Sequence, residues 1–481
     1  MENNFKHNKF NLQVYLDVLS DDSIAFCCNI FSSREKLQQH IRHLISETES
    51  AKDLHIKVDE LAQECVRNIL SRVKSLDISK SDQITALICA NVTRNSIDYL
   101  QAFLRDLDLE MQELIQFFDL QNTIIRRITY TGSDSHNFGK QVLIVEFLDT
   151  RKILYKPRKA KLELLLQDKL KVDWIPNTLA KNEHHWVEYI EAISADAFQV
   201  NKFSLTQLGS ILASAQFFGI HDLHDENVML TGFGFMLIDA EAFGSNLVGD
   251  SLLGSLDVDN YALDSVIGCG GLYAPFLLEG NDAFICRVLD HHHGFSSQEL
   301  SYIRAGYRLF QGDVKKLKVP STMVSRYVIR NTSFYGELLN YLLSGDQTIK
   351  EKKDALHSLG EISKHIDPQS AKKITNIETF SLLNGDIPYF AKSCSDPNYI
   401  ACEGFANFKL PLNQSTSLFS SNWNEIKKKE ALNLELVRVT SELYVNFNST
   451  DSMVLEGNVH GKIPTQIRMS SSHFSASEYY D

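Results

Sequence analysis

The sequence GIHDLHDENVML at residues 219–230, followed by FMLIDAEAFG at residues 235–244, decides how the rest of the chain is interpreted. Asp222 and Asn227 stand in a D-x-H-x-x-N pattern, and Asp239 ends the next predicted strand. Carboxylate and amide oxygens at such positions are the ligands that Mg²⁺ prefers. Phosphoryl transfer from a nucleotide uses them together with a carboxylate that orients the attacking hydroxyl. The segment therefore predicts a phosphoryl-transfer loop.

The residues beside this pattern predict a helix, a loop and a hairpin. Leu205 and Leu208 begin the apolar face of a helix over residues 203–218, in which Ser204 and Gln207 fit a capping box. The strands NVML and FMLIDA then flank the turn TGFG. A loop held between rigid elements in this way favours a catalytic role over an incidental polar turn.

A cation that binds the phosphates is expected upstream of this loop. The segments RRITYTGS, QVLIVEFLD and KILYKP precede a helical stretch at 159–171 and a strand at 185–193, which predicts a small antiparallel sheet with one helix. Lys156 ends one of these strands and is the candidate, because the chain has no Walker-type G-x-x-x-x-G-K-[ST] segment. Glu163 is explained equally well as a partner of Lys156 and as an ordinary surface residue.

The composition excludes several classes of protein. The 481 residues include 48 Lys and Arg against 61 Asp and Glu, a net charge of −13, which argues against a dedicated binder of nucleic acid or anionic membrane. The eight cysteines contain no C-x-x-C pair, and no apolar run approaches the roughly 18 residues of a membrane helix. We expect a cytoplasmic protein with reduced thiols, and a locally positive pocket formed by Lys156, Arg158 and Arg326.

The order of elements predicts four regions of an α+β protein. They are a helical amino-terminal region (1–125), a β-rich lobe (126–195), a lobe with the catalytic and metal loops (196–395), and a helical or irregular region ending in a frayed tail (396–481). The pair His184 and His185 and the run His291–His293 are expected on solvated loops, since adjacent side chains cannot converge on one metal ion.

Beyond these patterns, GIHDLHDENVML with LIDAEAFG resembles the catalytic and metal loops of phosphoinositide-kinase-like enzymes. It resembles more closely the dehydratase domain of class II (LanM-type) lanthipeptide synthetases. Four further segments carry that likeness: GSDSHNFGKQVLIVEF (132–147), ILYKPRK (153–159), RYVIRNTSFY (326–335) and NGDIPYF (384–390). The resemblance covers residues 125–395 and implies a two-lobed, lipid-kinase-like core preceded by added helices.

The resemblance implies a dehydratase that uses ATP and Mg²⁺. Such an enzyme phosphorylates Ser and Thr of a ribosomally made precursor peptide and then eliminates phosphate, leaving dehydroalanine or dehydrobutyrine. The residues implied for phosphorylation are Lys156 and Glu241 at the nucleotide, Asn227 and Asp239 at the metal, and Asp222 and His224 in the catalytic loop. Those implied for elimination are Asp134, His136, Arg326 and Thr332. A guanidinium suits a departing phosphate, and His136 or Lys156 is the expected base.

The elimination residues are less distinctive when taken without the resemblance. Asp134 and His136 also fit an ordinary turn, and Arg326 and Thr332 look like ordinary helix residues. Asn331 departs from the family, which usually has proline at this position.

Two alternatives remain open at this level. One is a kinase of the same fold that stops after phosphorylating a peptide or small molecule, and the other is a non-catalytic adaptor that binds peptide or nucleotide. The chain lacks the C-H-G segment of a zinc-dependent cyclase, so the expected partners are a precursor peptide with its leader and a separate cyclase. The segment around Asp386 is expected to pack as structure without chemistry.

Overall fold

The computed structural model describes the chain in segments. They are residues 33–54, 56–73, 82–121, 123–194, 197–218, 220, 227–243, 296–314, 323–327, 332–359, 368–393, 396–402, 410–411, 452–459, 463–470 and 473–478. Helices and small antiparallel sheets both occur in them, so the predicted α+β class is confirmed. No helix within these segments is long and apolar enough to cross a membrane. The predicted residues Asp222, His224 and Asn331, and the run His291–His293, lie outside the described residues.

The elements are labelled here in chain order. The described helices are α1 (Arg34–Ser46), α2 (Glu49–Asp53), α3 (Val58–Val73), α4 (Gln83–Phe118), α5 (Leu162–Leu164), α6 (Lys202–Phe218), α7 (Ser297–Val314), α8 (Thr332–Leu343), α9 (Ile349–Ser358) and α10 (Pro368–Leu383), and a π-helical turn, Leu165–Lys169, continues α5. The described strands are β1 (Ile125–Tyr130), β2 (Leu143–Phe147), β3 (Lys152–Lys156), β4 (Thr178–Ala180), β5 (His185–Glu188), β6 (Val228–Thr231), β7 (Gly234–Leu237), β8 (Val324–Tyr327), β9 (Phe390–Ser393), β10 (Asp396–Cys402), β11 (Leu410–Pro411), β12 (Ser452–Val459), β13 (Ile463–Ser470) and β14 (His473–Glu478).

The largest sheet of the described residues has five antiparallel strands in the order β1-β2-β3-β5-β4. In β2 the side chains of Leu143, Val145 and Phe147 are buried, and the two between them are only partly buried. Because successive side chains of a strand point to opposite faces, this alternation packs one face against the core. In the β3–β5 ladder Lys156 lies directly opposite His185.

One hydrophobic core joins the amino-terminal helices to this sheet. Its central element is the 36-residue helix α4, whose first turn donates backbone hydrogen bonds of 2.8 and 3.0 Å to the Asp82 carboxylate. Phe103 of α4 packs edge-on against Tyr155 of β3, with ring centroids 5.0 Å apart, and also contacts Trp186 of β5. The amino-terminal helices therefore pack against one face of the sheet.

The β6–β7 hairpin follows helix α6, but the predicted capping box does not form. The side chain of Asn201 caps the helix instead, accepting hydrogen bonds from the N–H groups of Phe203 and Ser204 at 2.9 and 3.0 Å. Gln207 accepts a hydrogen bond from the N–H of Phe235 at 3.2 Å, so it anchors the hairpin to the helix. Asn is as favourable as Ser at the N-cap position, so the helix begins directly after Asn201 and not after Ser204.

Helices α6 and α7 approach each other closely where two glycines meet the facing backbone. A Cβ at Gly209 would lie 1.9 Å from the carbonyl oxygen of Ile303, and one at Gly306 would lie 1.8 Å from that of Thr206. Only residues without a side chain permit this approach. The pair holds α7 against the helix that precedes the hairpin.

The prediction for the carboxy-terminal region is wrong for its described residues. Strands β12, β13 and β14 form a three-stranded antiparallel sheet in place of helical or irregular chain with a frayed tail. In IPTQIRMS and HFSASE the apolar pairs Ile467 and Met469, and Phe474 and Ala476, stand two positions apart, which is the period of a strand.

Candidate functional site

Seven of the predicted site residues line one cleft of about 440 Å³. They are Asp134, His136, Asn227, Asp239, Glu241, Arg326 and Thr332. The cleft lies between the loop before β2, the chain after β7, strand β8 and the start of α8. The fold thus brings together side chains that are far apart in sequence.

Lys156 lies beside this cleft at the end of β3. Its side chain is buried, and its Nζ donates a 2.6 Å hydrogen bond to the carbonyl oxygen of Ile238. The same Nζ lies 3.7 Å from the Oδ2 of Asp239. The strand lysine and the carboxylate that follows β7 are therefore direct neighbours.

Arg158 is the centre of a buried ion-pair network. Its guanidinium contacts Asp239 at 2.6 Å, Glu241 at 3.0 Å and Glu163 at 3.2 Å. Glu163 thus makes its described ion pair with Arg158 and not with Lys156. The expectation of a locally positive pocket needs correction, because these three carboxylates compensate the cations of the site. Sequence reasoning assigned Arg158 no specific contact, although it follows the strand lysine by only two residues.

Glu241 connects this network to the opposite side of the cleft. Its Oε1 lies 2.7 Å from the Nη1 of Arg326, and its Oε2 accepts a 3.2 Å hydrogen bond from the hydroxyl of Tyr389. The guanidinium of Arg326 also lies over the Tyr389 ring, with the Cζ 5.5 Å from its centroid, in a cation–π arrangement. Arg326 stands on strand β8 and Thr332 begins helix α8, so the expectation of two ordinary helix residues is wrong for Arg326. Tyr389 is a residue that sequence reasoning missed.

His136 is held as a neutral imidazole in the loop before β2. Its Nδ1–H donates a 2.8 Å hydrogen bond to the carbonyl oxygen of Ile387, which leaves the lone pair on Nε2. Its ring packs against Tyr389, with centroids 5.4 Å apart. Burial and the nearby Arg326 lower the pKa of His136 to about 4. The residue is therefore uncharged at neutral pH, as a proton acceptor must be.

Asp239 is the best candidate for a metal ligand among the described residues. Burial alone would raise its pKa, but Arg158 and Lys156 hold the pKa of Asp239 well below its ordinary value. Asp239 and Asn227 line the same cleft, and their hard oxygen donors fit Mg²⁺. No group of three His, Cys, Asp or Glu side chains within the described part of the chain could hold a metal ion.

His184 and His185 are buried, which corrects the expectation of a solvated loop. The Nε2 of His184 lies 2.9 Å from a carboxylate oxygen of Glu110 on α4. The Nδ1–H of His185 donates a 2.6 Å hydrogen bond to the carbonyl oxygen of Arg158, and burial lowers the pKa of His185 well below its ordinary value. His185 therefore fixes the chain that carries Lys156 and Arg158, and His184 joins the start of β5 to α4.

Fold and site together define an α+β protein with a charged cleft, in which buried cations, carboxylates and a neutral imidazole converge. The chain matches the family described as Domain of unknown function (DUF4135) over residues 85–285 and 289–393. It belongs to this family, which is associated with LanM-type lanthipeptide synthetases. The resemblance found in the motifs is thereby confirmed at the level of the family. No curated protein matches the chain.

Proposed function

We propose that the protein is a lanthipeptide-type dehydratase with a two-lobed, lipid-kinase-like core. It phosphorylates Ser and Thr side chains of a precursor peptide with ATP and Mg²⁺, and it then eliminates the phosphate. The observation that carries this proposal is the shared cleft, in which Glu241 contacts Arg158 on one side and Arg326 on the other.

The phosphorylation step uses the side of the cleft around Lys156. Lys156 binds phosphate oxygens of ATP, Asn227 and Asp239 hold the metal, and Asp222 orients the attacking hydroxyl. An Mg²⁺ ion held by Asn227 and Asp239 would supply positive charge against the phosphates. Support comes from the 3.7 Å distance between Lys156 and Asp239, while the roles of Asp222 and His224 rest on the family likeness.

The elimination step uses the side around Arg326. A base removes the α-proton, the electrons form the Cα=Cβ double bond, the Cβ–O bond breaks and phosphate departs. Arg326 and the first turn of α8 with Thr332 stabilise the departing anion. The Nε2 of His136 is the proposed base, because its ring lines the cleft and its lone pair is on Nε2.

The pKa of His136 is consistent with an elimination that follows phosphorylation. Arg326 contributes to the low pKa of the free imidazole. A phosphate bound at Arg326 neutralises that charge, so the pKa of His136 rises when the phosphorylated substrate is present. Asp134 shares the loop and the cleft with His136 and is assigned to this step on the family likeness.

The test is mass spectrometry of a pool of synthetic peptides, each with one Ser or Thr, after incubation with the protein, ATP and Mg²⁺. We expect peptides lighter by one water, and we expect the Lys156→Met variant to form none. A thermal shift with ATP and Mg²⁺ measures nucleotide binding separately. Unmodified peptides together with no nucleotide binding contradict the proposal.

A kinase that stops at phosphorylation is the second candidate, and Asn331 favours it because the family usually has proline there. It predicts a stable phosphopeptide as the end product of the wild-type protein. An adaptor predicts nucleotide or peptide binding without any change in peptide mass.

A further inference from the structure

Arg72 and Asp386 form a buried ion pair at the base of the loop that carries His136. The Nη2 of Arg72 lies 3.0 Å from the Oδ1 of Asp386, and the two side chains are 10% and 2% exposed. Arg72 belongs to helix α3, before residue 85, where the family match begins. The sequence assigned no role to Arg72 and only a packing role to Asp386.

The loop needs external support because its backbone is strained. Asn137, Phe138 and Gly139 have φ angles of 46°, 70° and 78°, in the left-handed region that phenylalanine rarely adopts. Backbone hydrogen bonds of 3.0 and 2.9 Å between His136 and Lys140 close the turn. Such a turn persists only where its surroundings hold it in place.

Asp386 supplies that support directly. Its carboxylate accepts hydrogen bonds from the N–H of Phe138 at 2.7 Å and the N–H of Gly139 at 3.0 Å, and successive N–H groups of this kind form a concave anion site. The next residue, Ile387, donates its N–H to the carbonyl oxygen of Ser135 at 2.9 Å. Its own carbonyl oxygen binds the Nδ1 of His136 at 2.8 Å. Residues 386–387 therefore fix the turn, the imidazole and its tautomer together.

Arg72 keeps the Asp386 carboxylate in this position. Its guanidinium also donates to the carbonyl oxygen of Gly385 at 3.0 Å and to the hydroxyl of Ser96 at 3.2 Å. A carboxylate buried this deeply is stable only with a charged partner, so without Arg72 the turn loses its anchor. Lys156 and Asp239 are held by the separate Arg158 network.

We propose that Arg72 and Asp386 are positioning residues for elimination, acting through the 137–139 turn on His136. This inference rests on the proposed function and adds an amino-terminal helix to the elimination site. Changes at Arg72 or Asp386 should therefore affect elimination alone, because phosphorylation does not depend on the 137–139 turn.

The test compares Arg72→Met with the wild type on one synthetic peptide, chosen because the wild type modifies it, in its serine and phosphoserine forms. We expect Arg72→Met to eliminate phosphate about 10- to 100-fold more slowly while its phosphorylation rate changes less than about 3-fold. Arg72→Lys keeps the charge and should recover part of the elimination rate. Hydrogen exchange at the amides of Phe138 and Gly139 should be faster in Arg72→Met.

Lys352→Met is the matched control. Lys352 forms another buried ion pair, with Nζ 2.6 Å from the Oδ2 of Asp82 and side chains 0% and 15% exposed, at the start of α4. This variant should lose stability without changing the ratio of phosphopeptide to dehydrated peptide. If Arg72→Met does not fold, Arg72→Lys is measured in the same two assays.

Two results overturn the inference. One is unchanged exchange at residues 138–139 in the Arg72 variant, and the other is a loss of both half-reactions in equal proportion. A wild-type protein that phosphorylates peptides but eliminates no phosphate instead contradicts the proposed function, and the exchange measurement still decides whether Arg72 holds the turn.

Discussion

The two sides of the cleft are built in different ways. The side that we propose for phosphorylation comprises Lys156, Arg158, Asn227 and Asp239, and the side that we propose for elimination comprises Asp134, His136, Arg326 and Thr332. On the first side, residues that follow β3 and β7 meet through a compact network centred on Arg158. On the second, His136 is held by Ile387, which is 251 residues away in the chain. The end of a strand can be predicted from the local sequence, whereas a contact between residues far apart in the chain cannot.

Glu241 is where the two sides meet. It binds Arg158 at 3.0 Å and Arg326 at 2.7 Å, so a change in Glu241 itself reaches both guanidinium groups. We therefore expect some variants to affect one side alone and a variant of Glu241 to affect both.

The largest effect is expected on the phosphorylation side. Lys156→Met should reduce peptide phosphorylation by about 10²- to 10³-fold, because it removes the phosphate-binding cation. The same variant given a synthetic phosphopeptide should still eliminate phosphate, since His136 is the proposed base. Chromatographic separation of the peptide products measures both rates. Equal loss of the two rates would make Lys156 the base, and it would contradict the division of the cleft into two sides.

The second prediction concerns the pH dependence of the elimination side. The folded pKa of His136, about 4, lies below its ordinary value of 6.5, so the unfolded chain binds more protons between these two values. The free energy of unfolding should therefore rise by about 3 kcal/mol through this residue, mostly between pH 4 and pH 6.5, and level off above about pH 7. Urea unfolding of the wild type and of His136→Gln measures the difference. Identical pH profiles would show that the imidazole is not held as described.

Glu241→Gln should weaken both sides by a smaller factor. The amide keeps the shape of the side chain but loses the charge that both guanidinium groups contact, so each half-reaction should slow by about 10-fold. Separate assays with the serine and phosphoserine peptides give the two factors. An effect confined to one half-reaction would show that Glu241 does not join the sides.

Tyr389→Phe should give the smallest change. The variant loses the 3.2 Å hydrogen bond to Glu241 but keeps the ring beside Arg326 and His136. Elimination should slow by about 3-fold, the loss of one ordinary hydrogen bond, and phosphorylation should not change. A larger loss of elimination would assign the hydroxyl itself to that step.

The sequence predicted the local elements more reliably than the contacts between them. The β6–β7 hairpin and the strand that ends at Lys156 follow from short periodic segments, so their patterns predicted them. The network of Arg158 was missed because a basic residue after a strand is usually solvated. Arg72 and Asp386 are 314 positions apart in the chain, and no local sequence pattern predicts a contact between such distant residues.

We propose that one cleft performs both half-reactions, with Arg326 serving only the second. Mass spectrometry of a peptide that the wild-type protein modifies, incubated with Arg326→Ala, ATP and Mg²⁺, tests this claim directly. We expect the peptide to gain the mass of one phosphate per site and to stay phosphorylated, while the wild type yields a product lighter by one water. A peptide that Arg326→Ala leaves unmodified, or dehydrates as the wild type does, would contradict it.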